Sequence, residues 1–119
     1  MNLDLFLSRA YPTNTWIREK YINIYIRKST HYINNTSILF LDIGSVEVNE
    51  KYRGRGIFTA FLCRFEKEAK KLKRGVYVES IVNHRLTNFL SNRGYKFVPG
   101  TEKNSPSMFF LFRAIDIDS

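Results

Sequence analysis

The stretch NEKYRGRGIFTAFL, Asn49 to Leu62, sets two arginines and two glycines directly before an apolar run with helical spacing. Glycines at a junction between strand and helix let the backbone turn sharply and approach a ligand closely. A helix N-terminus adds free N–H groups and a partial positive charge, both suited to a phosphate, and the arginines add charge of the same sign. The chemistry this pattern points to is phosphate recognition through backbone amides.

The elements around the junction can be read from hydrophobic period. Residues 1–15 hold a short apolar cluster (Leu3, Leu5, Phe6, Leu7) and then Pro12, read as one short helix and a loop. YINIYIR, Tyr21 to Arg27, alternates Ile22, Ile24 and Ile26 with Asn23 and Arg27, the pattern of a strand with one buried face. NNTS at 34–37 is a hairpin turn, and ILFLDIGSVEV, Ile38 to Val48, is a long buried strand bent near Gly44. The period then changes. Phe58, Phe61, Leu62, Phe65, Ala69 and Leu72 predict a helix from Ile57 to Lys73, stopped by Gly75. VYVESI at 76–81 is a further strand, and NHRLTNFLSNRG at 83–94 a second helix, with Asn83 as N-cap and Gly94 as its stop. Tyr95–Val98 and Met108–Arg113 close the chain as an antiparallel pair. The order β-β-β-α-β-α-β-β, with two crossovers through helices, implies a mixed sheet with parallel strands at its middle.

Composition sets the bounds. The 119 residues fit one domain, 1–119, and ten Phe and seven Tyr within 44% hydrophobic residues supply a core. A formal charge of +8 favours a polyanionic partner (nucleic acid, an acidic surface or a phosphate-rich cofactor), although solubility alone also accounts for it. The one cysteine, Cys63, excludes an internal disulfide and fits a reducing, cytoplasmic setting. MNLDLFLSRAY lacks the basic leader and long apolar core of a signal peptide, and no apolar run is long enough for a membrane span. One Cys and two separated His, His31 and His84, form no metal-ligand spacing, so no metal is expected. Cys63 lies on the helix beside Leu62 and reads as structural.

Three phosphate-loop patterns can be tested on 46–60. A P-loop needs a Lys-Ser/Thr pair after its second glycine, which this chain lacks. A dinucleotide fingerprint fits Gly54 and Gly56 but finds Thr59 at its third place. VNEKYRGRGIF instead resembles motif A of the GNAT superfamily, the acyl-CoA N-acyltransferases, whose loop runs Arg/Gln-x-x-Gly-x-Gly/Ala. Arg53, Gly56 and Phe58 fall on its defined positions, and Val48 on the apolar position that closes the preceding strand. NHRLTNFLSNRGYKF is similar to motif B of the same family, with Asn83, Gly94 and Tyr95 in register.

The resemblance implies an α/β (α+β) fold, a mixed, mostly antiparallel twisted sheet of about six strands flanked by helices, with a shortened N-terminal part. It also implies acetyl-CoA as acyl donor, its pantetheine arm lying along Val46 and Val48 as a pseudo-strand. The pyrophosphate would rest on the loop and helix start, Arg53, Gly54, Arg55, Gly56, Ile57, Phe58 and Thr59, with Asn83 of motif B completing the cofactor contacts. There are two departures. Phe58 stands where the loop's last small residue belongs. Leu90 stands where the family carries the tyrosine that protonates the departing thiolate. A thiol pKa of about 8.5 makes that thiolate a fair leaving group without an acid, and Tyr95, Ser91 or water could donate instead.

The acceptor amine, with a lysine-like pKa of about 10.4, must lose a proton before it attacks. Asp42, Glu47 and Glu79 are the candidate bases. Asp42 lies where some family members carry theirs, but it could equally pair with an arginine, while Glu47 and Glu79 alternate with apolar neighbours and could face solvent. The expected activity is transfer of an acetyl group to a primary amine by direct attack in a ternary complex, without an acyl-enzyme on Cys63. A pared-down first part leaves the acceptor groove open or completed by a second subunit in a homodimer, which favours a protein or peptide amine. The rival readings are a GNAT-fold CoA-binding or protein-interaction module that has lost catalysis, and a basic protein that binds or modifies nucleic acid. Against the last, most aromatics sit at core spacing and the basic residues of 64–74 on the outer face of one helix.

Overall fold

The computed structural model of the chain describes residues 7, 14–18, 21–48, 56–81, 83–102 and 105–112. Six strands and two helices follow in the order β1 (Asn14–Arg18), β2 (Ile22–Ile33), β3 (Thr36–Val48), α1 (Ile57–Lys71), β4 (Gly75–Val78), α2 (His84–Asn92), β5 (Lys96–Phe97) and β6 (Met108–Phe110). They form one sheet ordered β1-β2-β3-β4-β6-β5. The β3–β4 pair at its middle is parallel and every other pair antiparallel. From β2 onward the elements follow the expected order; β1, starting at Asn14, overlaps the stretch expected to be helix and loop. Of the short helix expected in 1–15, only Leu7 and the β1 residues from Asn14 are described.

The hairpin of β2 and β3 is longer than the sequence suggests. Asn34 and Asn35 both take left-handed backbone, φ 50° and 64°, which asparagine tolerates better than other non-glycine residues. That makes a two-residue turn, so Thr36 and Ser37 join the ladder, paired with Ile33 and Tyr32. Residues 28–33, beyond the strand read over Tyr21–Arg27, belong to it as well.

The first helix also stops differently. α1 ends at Lys71, Lys73 takes φ 58°, and the N–H of Arg74 donates to the Ala69 carbonyl at 2.9 Å. Lysine rather than glycine supplies the left-handed residue here. Gly75 already belongs to β4, where a Cβ would lie 2.7 Å from the Phe40 ring and 2.8 Å from the Phe110 carbonyl oxygen. Its smallness serves close packing. The second helix follows its sequence signals: the Asn83 Oδ1 accepts from the Arg85 N–H at 2.9 Å, and Gly94 sits past the end at φ 95°.

Alternation divides the sheet into two faces. On one, Ile24, Ile26, Leu41, Ile43, Val76 and Val78 pack with Phe61, Leu62, Phe65 and Ala69 of α1 and Leu90 of α2. On the other, Phe40, Tyr77, Phe109, Ile33, Ile38 and Val98 form a second cluster, to which no helix among the described residues contributes. Arg93 ties the helices together. Its guanidinium pairs with Glu66, which also accepts from the Tyr95 hydroxyl at 2.7 Å, and touches the Cys63 Sγ at 3.5 Å. Half-buried Cys63 thus has a packing role. No helix of the described residues is long and apolar enough to cross a membrane.

Candidate functional site where β3 and β4 part

The parallel ladder between β3 and β4 is short. It runs from Phe40 opposite Gly75 to Ile43 opposite Val78, and the Glu79 N–H extends it by one bond to the Ile43 carbonyl at 3.0 Å. Beyond that point the chain after β4 turns to other partners. Ser80 takes a left-handed φ of 46°, its N–H donates to the Ser107 Oγ at 3.1 Å, and the Ile81 N–H donates to the Pro106 carbonyl at 2.7 Å. β3 meanwhile continues from Gly44 to Val48 against β2 alone among the described residues. A buried or half-buried strand edge with free N–H and C=O groups is a template for an extended ligand.

Gly44 shapes that edge. It is the extra residue where the β2–β3 register shifts between Tyr25 and Ile26, a bulge that re-aims the strand. A Cβ at Gly44 would stand 2.9 Å from the Tyr25 ring, which packs in turn against Trp16. Val46 is half-buried against the helix-side cluster, and Val48 pairs with Ile22.

No side chain among the described residues caps the α1 N-terminus. Gly56 caps it at φ 73° with no side-chain hydrogen bond, and its carbonyl accepts from Ala60 at 2.9 Å. The first-turn amides of Ile57, Phe58 and Thr59 have no intrahelical acceptor in a helix of this kind, and no acidic side chain stands in that turn. Phe58 points its ring toward Phe89, with centroids 6.4 Å apart, and packs on the core. Its bulk is therefore directed away from the first-turn N–H groups. Arg53, Gly54 and Arg55 lie outside the described residues. Asn83 is exposed, with its side-chain oxygen committed to the α2 cap.

The three candidate carboxylates have different surroundings. Glu47 is exposed on β3. Asp42 is fully buried, and its carboxylate accepts from the Ser29 hydroxyl at 2.7 Å, the Arg27 guanidinium at 3.3 Å and the His31 Nε2 at 2.8 Å. Glu79, at the point where the strands separate, pairs with the same Arg27. A ring nitrogen of His31 and carboxylate oxygens of Asp42 and Glu79 all lie within 4.8 Å of one another. The guanidinium of Arg27 bridges the two carboxylates and supplies the cation such a group attracts.

His31 was not a candidate from sequence. It stands far from Asp42 and Glu79 along the chain, and only the register of the long hairpin, Arg27 opposite Asp42 and Ser29 opposite Phe40, puts these side chains on one face. The imidazole stacks on Tyr77, centroids 3.7 Å apart and planes at 6°. Burial, above all, raises the pKa of the Tyr77 phenol. Leu90, at the position of the expected tyrosine's counterpart, is wholly buried. Burial, the Glu66 charge and the hydrogen bond to Glu66 raise the Tyr95 phenol far above its usual range, so that hydroxyl stays protonated and occupied.

No protein-family profile matches the chain, and no curated protein matches it in sequence. Solved structures do match in fold. The toxin AtaT bound to its antitoxin's C-terminus and acetyl-CoA aligns with a TM-score of 0.54 and 17% identity over 76% of this chain and 57% of that one. AtaT complexed with acetyl-methionyl-tRNAfMet aligns at 0.61, 14% identity, 81% of this chain and 65% of that one. Ard1 from Thermoplasma volcanium aligns at 0.51, 16% identity, 93% and 79%. The chain spans less than two thirds of the AtaT chains it matches. The fold is that of the GNAT acetyltransferases, as the sequence motifs implied.

Proposed function

We propose that the protein transfers an acetyl group from acetyl-CoA to a primary amine. The observation that carries this is the β3 edge at Gly44–Val48, unpartnered on that side among the described residues, opening beside Glu79 and followed in the chain by the start of α1, which no described side chain caps. The pantetheine amides would pair with that edge at Val46 and Val48, and the pyrophosphate would sit on the amides of Gly56, Ile57, Phe58 and Thr59, with Arg53, Gly54 and Arg55 ahead of them. The free amide nitrogen of Asn83 is a further donor for the cofactor. Acetyl-CoA bound to AtaT, which shares this fold, supports the choice of donor.

The amine attacks the thioester carbonyl directly, the C–S bond breaks, and the electron pair leaves on sulfur. Backbone N–H groups of the β3 edge are the donors available to the oxyanion. With Leu90 buried and the Tyr95 hydroxyl held by Glu66, the thiolate departs without a side-chain acid, which its low basicity allows. The same two residues favour, as a second reading, a CoA-binding module without turnover.

The acceptor is an amine on a large molecule. AtaT held with acetyl-methionyl-tRNAfMet, together with the +8 charge here, favours an amine carried on nucleic acid over the peptide amine expected from sequence. Calorimetry with acetyl-CoA tests the cofactor. Thiol release with aminoacyl-tRNA, peptides and small amines then tests transfer. Binding without release for any amine would favour the second reading, and absence of binding would defeat both.

A further inference from the structure

Asp42 and His31 form a pair that the reaction outlined above does not use. The Asp42 carboxylate is an acceptor for the Ser29 hydroxyl and the Arg27 guanidinium. It accepts likewise from the His31 Nε2 at 2.8 Å, so that nitrogen carries the hydrogen and Nδ1 carries the lone pair. Among the described residues Nδ1 makes no hydrogen bond, and the side chain is 25% exposed. The ring cannot easily turn away, because it lies flat on Tyr77. An imidazole fixed in one tautomer by a buried carboxylate, with the other nitrogen open, is the arrangement a general base needs.

Position supports the role. His31 lies within 4.8 Å of Glu79, whose own N–H makes the last bond before the strands part. The charged and titratable groups around the ring are Arg27 on its own strand, Asp42 on β3, and Tyr77 and Glu79 on and after β4, while Arg74, just before β4, donates to the Ser29 and Phe40 carbonyls.

We propose that His31 is the base that takes the proton from the incoming ammonium, with Asp42 as the residue that positions it. This rests on the acetyl-transfer reading above. The Nδ1 lone pair removes one proton from the ammonium, and the freed amine lone pair forms the N–C bond to the thioester carbonyl. Collapse breaks the C–S bond, the sulfur leaves as thiolate, and the second nitrogen proton passes to it, leaving amide, free thiol and an imidazolium that returns its proton to water. Glu79, paired with Arg27, orients the ammonium at the mouth of the cleft.

The test has two arms. The chain has two histidines, so a His84→Asn protein labelled with nitrogen-15 reports His31 alone. Its neutral ring is expected to show the hydrogen on Nε2, and to lose that fixed tautomer in Asp42→Asn; a hydrogen on Nδ1 would overturn the proposal. In the second arm, thiol release from acetyl-CoA is followed against pH with the best amine among n-butylamine, spermidine and methionyl-tRNA. His31→Gln should lower kcat by about a hundredfold or more, remove the acidic limb of the profile and leave the acetyl-CoA Kd unchanged. A variant that kept both rate and limb would refute the role of His31. Failure of the wild-type protein to bind acetyl-CoA would instead refute the underlying reading, and the tautomer measurement would show which had failed.

Discussion

The Glu79 N–H reaches the Ile43 carbonyl at 3.0 Å, and the next N–H, that of Ser80, reaches across to Ser107 instead. Within one residue the chain leaves β3 for the segment that precedes β6. That change of partner opens the β3 edge, and the candidate chemistry is arranged around it.

Gly56 fixes the start of α1 in left-handed backbone at φ 73°, with open space where a Cβ would stand. A β-branched residue there is strained by its backbone alone, by about 1–2 kcal/mol. Gly56→Val should lower the thermal midpoint and weaken acetyl-CoA binding at least about tenfold, or 1.4 kcal/mol. Gly56→Asn, which tolerates this conformation, should recover most of both. Melting curves and calorimetry on the two variants decide it.

Gly44 has a different constraint. A methyl group there meets the Tyr25 ring at 2.9 Å, so Gly44→Ala should destabilise by about 1–3 kcal/mol. Trimming the ring with Tyr25→Ala should remove most of that added cost. A double-mutant cycle by urea unfolding measures the coupling, and simple additivity would show that the ring is not what Gly44 accommodates.

Removing the Asp42 carboxylate leaves the Arg27 and His31 donors facing a buried gap. Asp42→Ala should cost about 3 kcal/mol in urea unfolding, the range for breaking a buried ion pair. Glu47→Ala, an exposed site, should change stability by less than about 0.5 kcal/mol.

Leu90 fills the core completely, so restoring a tyrosine there should not restore an acid. Leu90→Tyr is expected to lose about 1–3 kcal/mol by overpacking and to leave thiol release no faster. A faster variant would show that the position faces the cleft.

The pH dependence follows from Tyr95. Burial, then the neighbouring Glu66, raises its pKa in the folded state, so the fold favours the protonated phenol. Its contribution is whole below about pH 10, where the unfolded chain also keeps the proton, and declines above it as only the unfolded phenol ionises. Thermal midpoints should fall as pH rises past 10, and less steeply in Tyr95→Phe.

The sequence by itself determined whatever depends on near neighbours. Asn83 and Gly94 bound α2 because capping acts within one turn, and the period of Phe61, Leu62, Phe65 and Ala69 marked the buried stripe of α1. The proposed cofactor loop is a contiguous motif in the sequence, and its Arg53, Gly54 and Arg55 lie outside the described residues. Even local signals misled where two residues competed: Gly75 looked like a helix stop, yet Lys73 makes the left-handed turn and Gly75 is small because Phe40 and Phe110 crowd it. Only the tertiary structure joined His31, Asp42 and Glu79. They come from β2, from β3 and from the residue just after β4, and their meeting depends on the register of a two-residue Asn-Asn turn and on a parallel crossover through α1. Side chains so far apart along the chain carry no local mark of one another, because the sheet pairing that brings them together is settled by burial of the whole core.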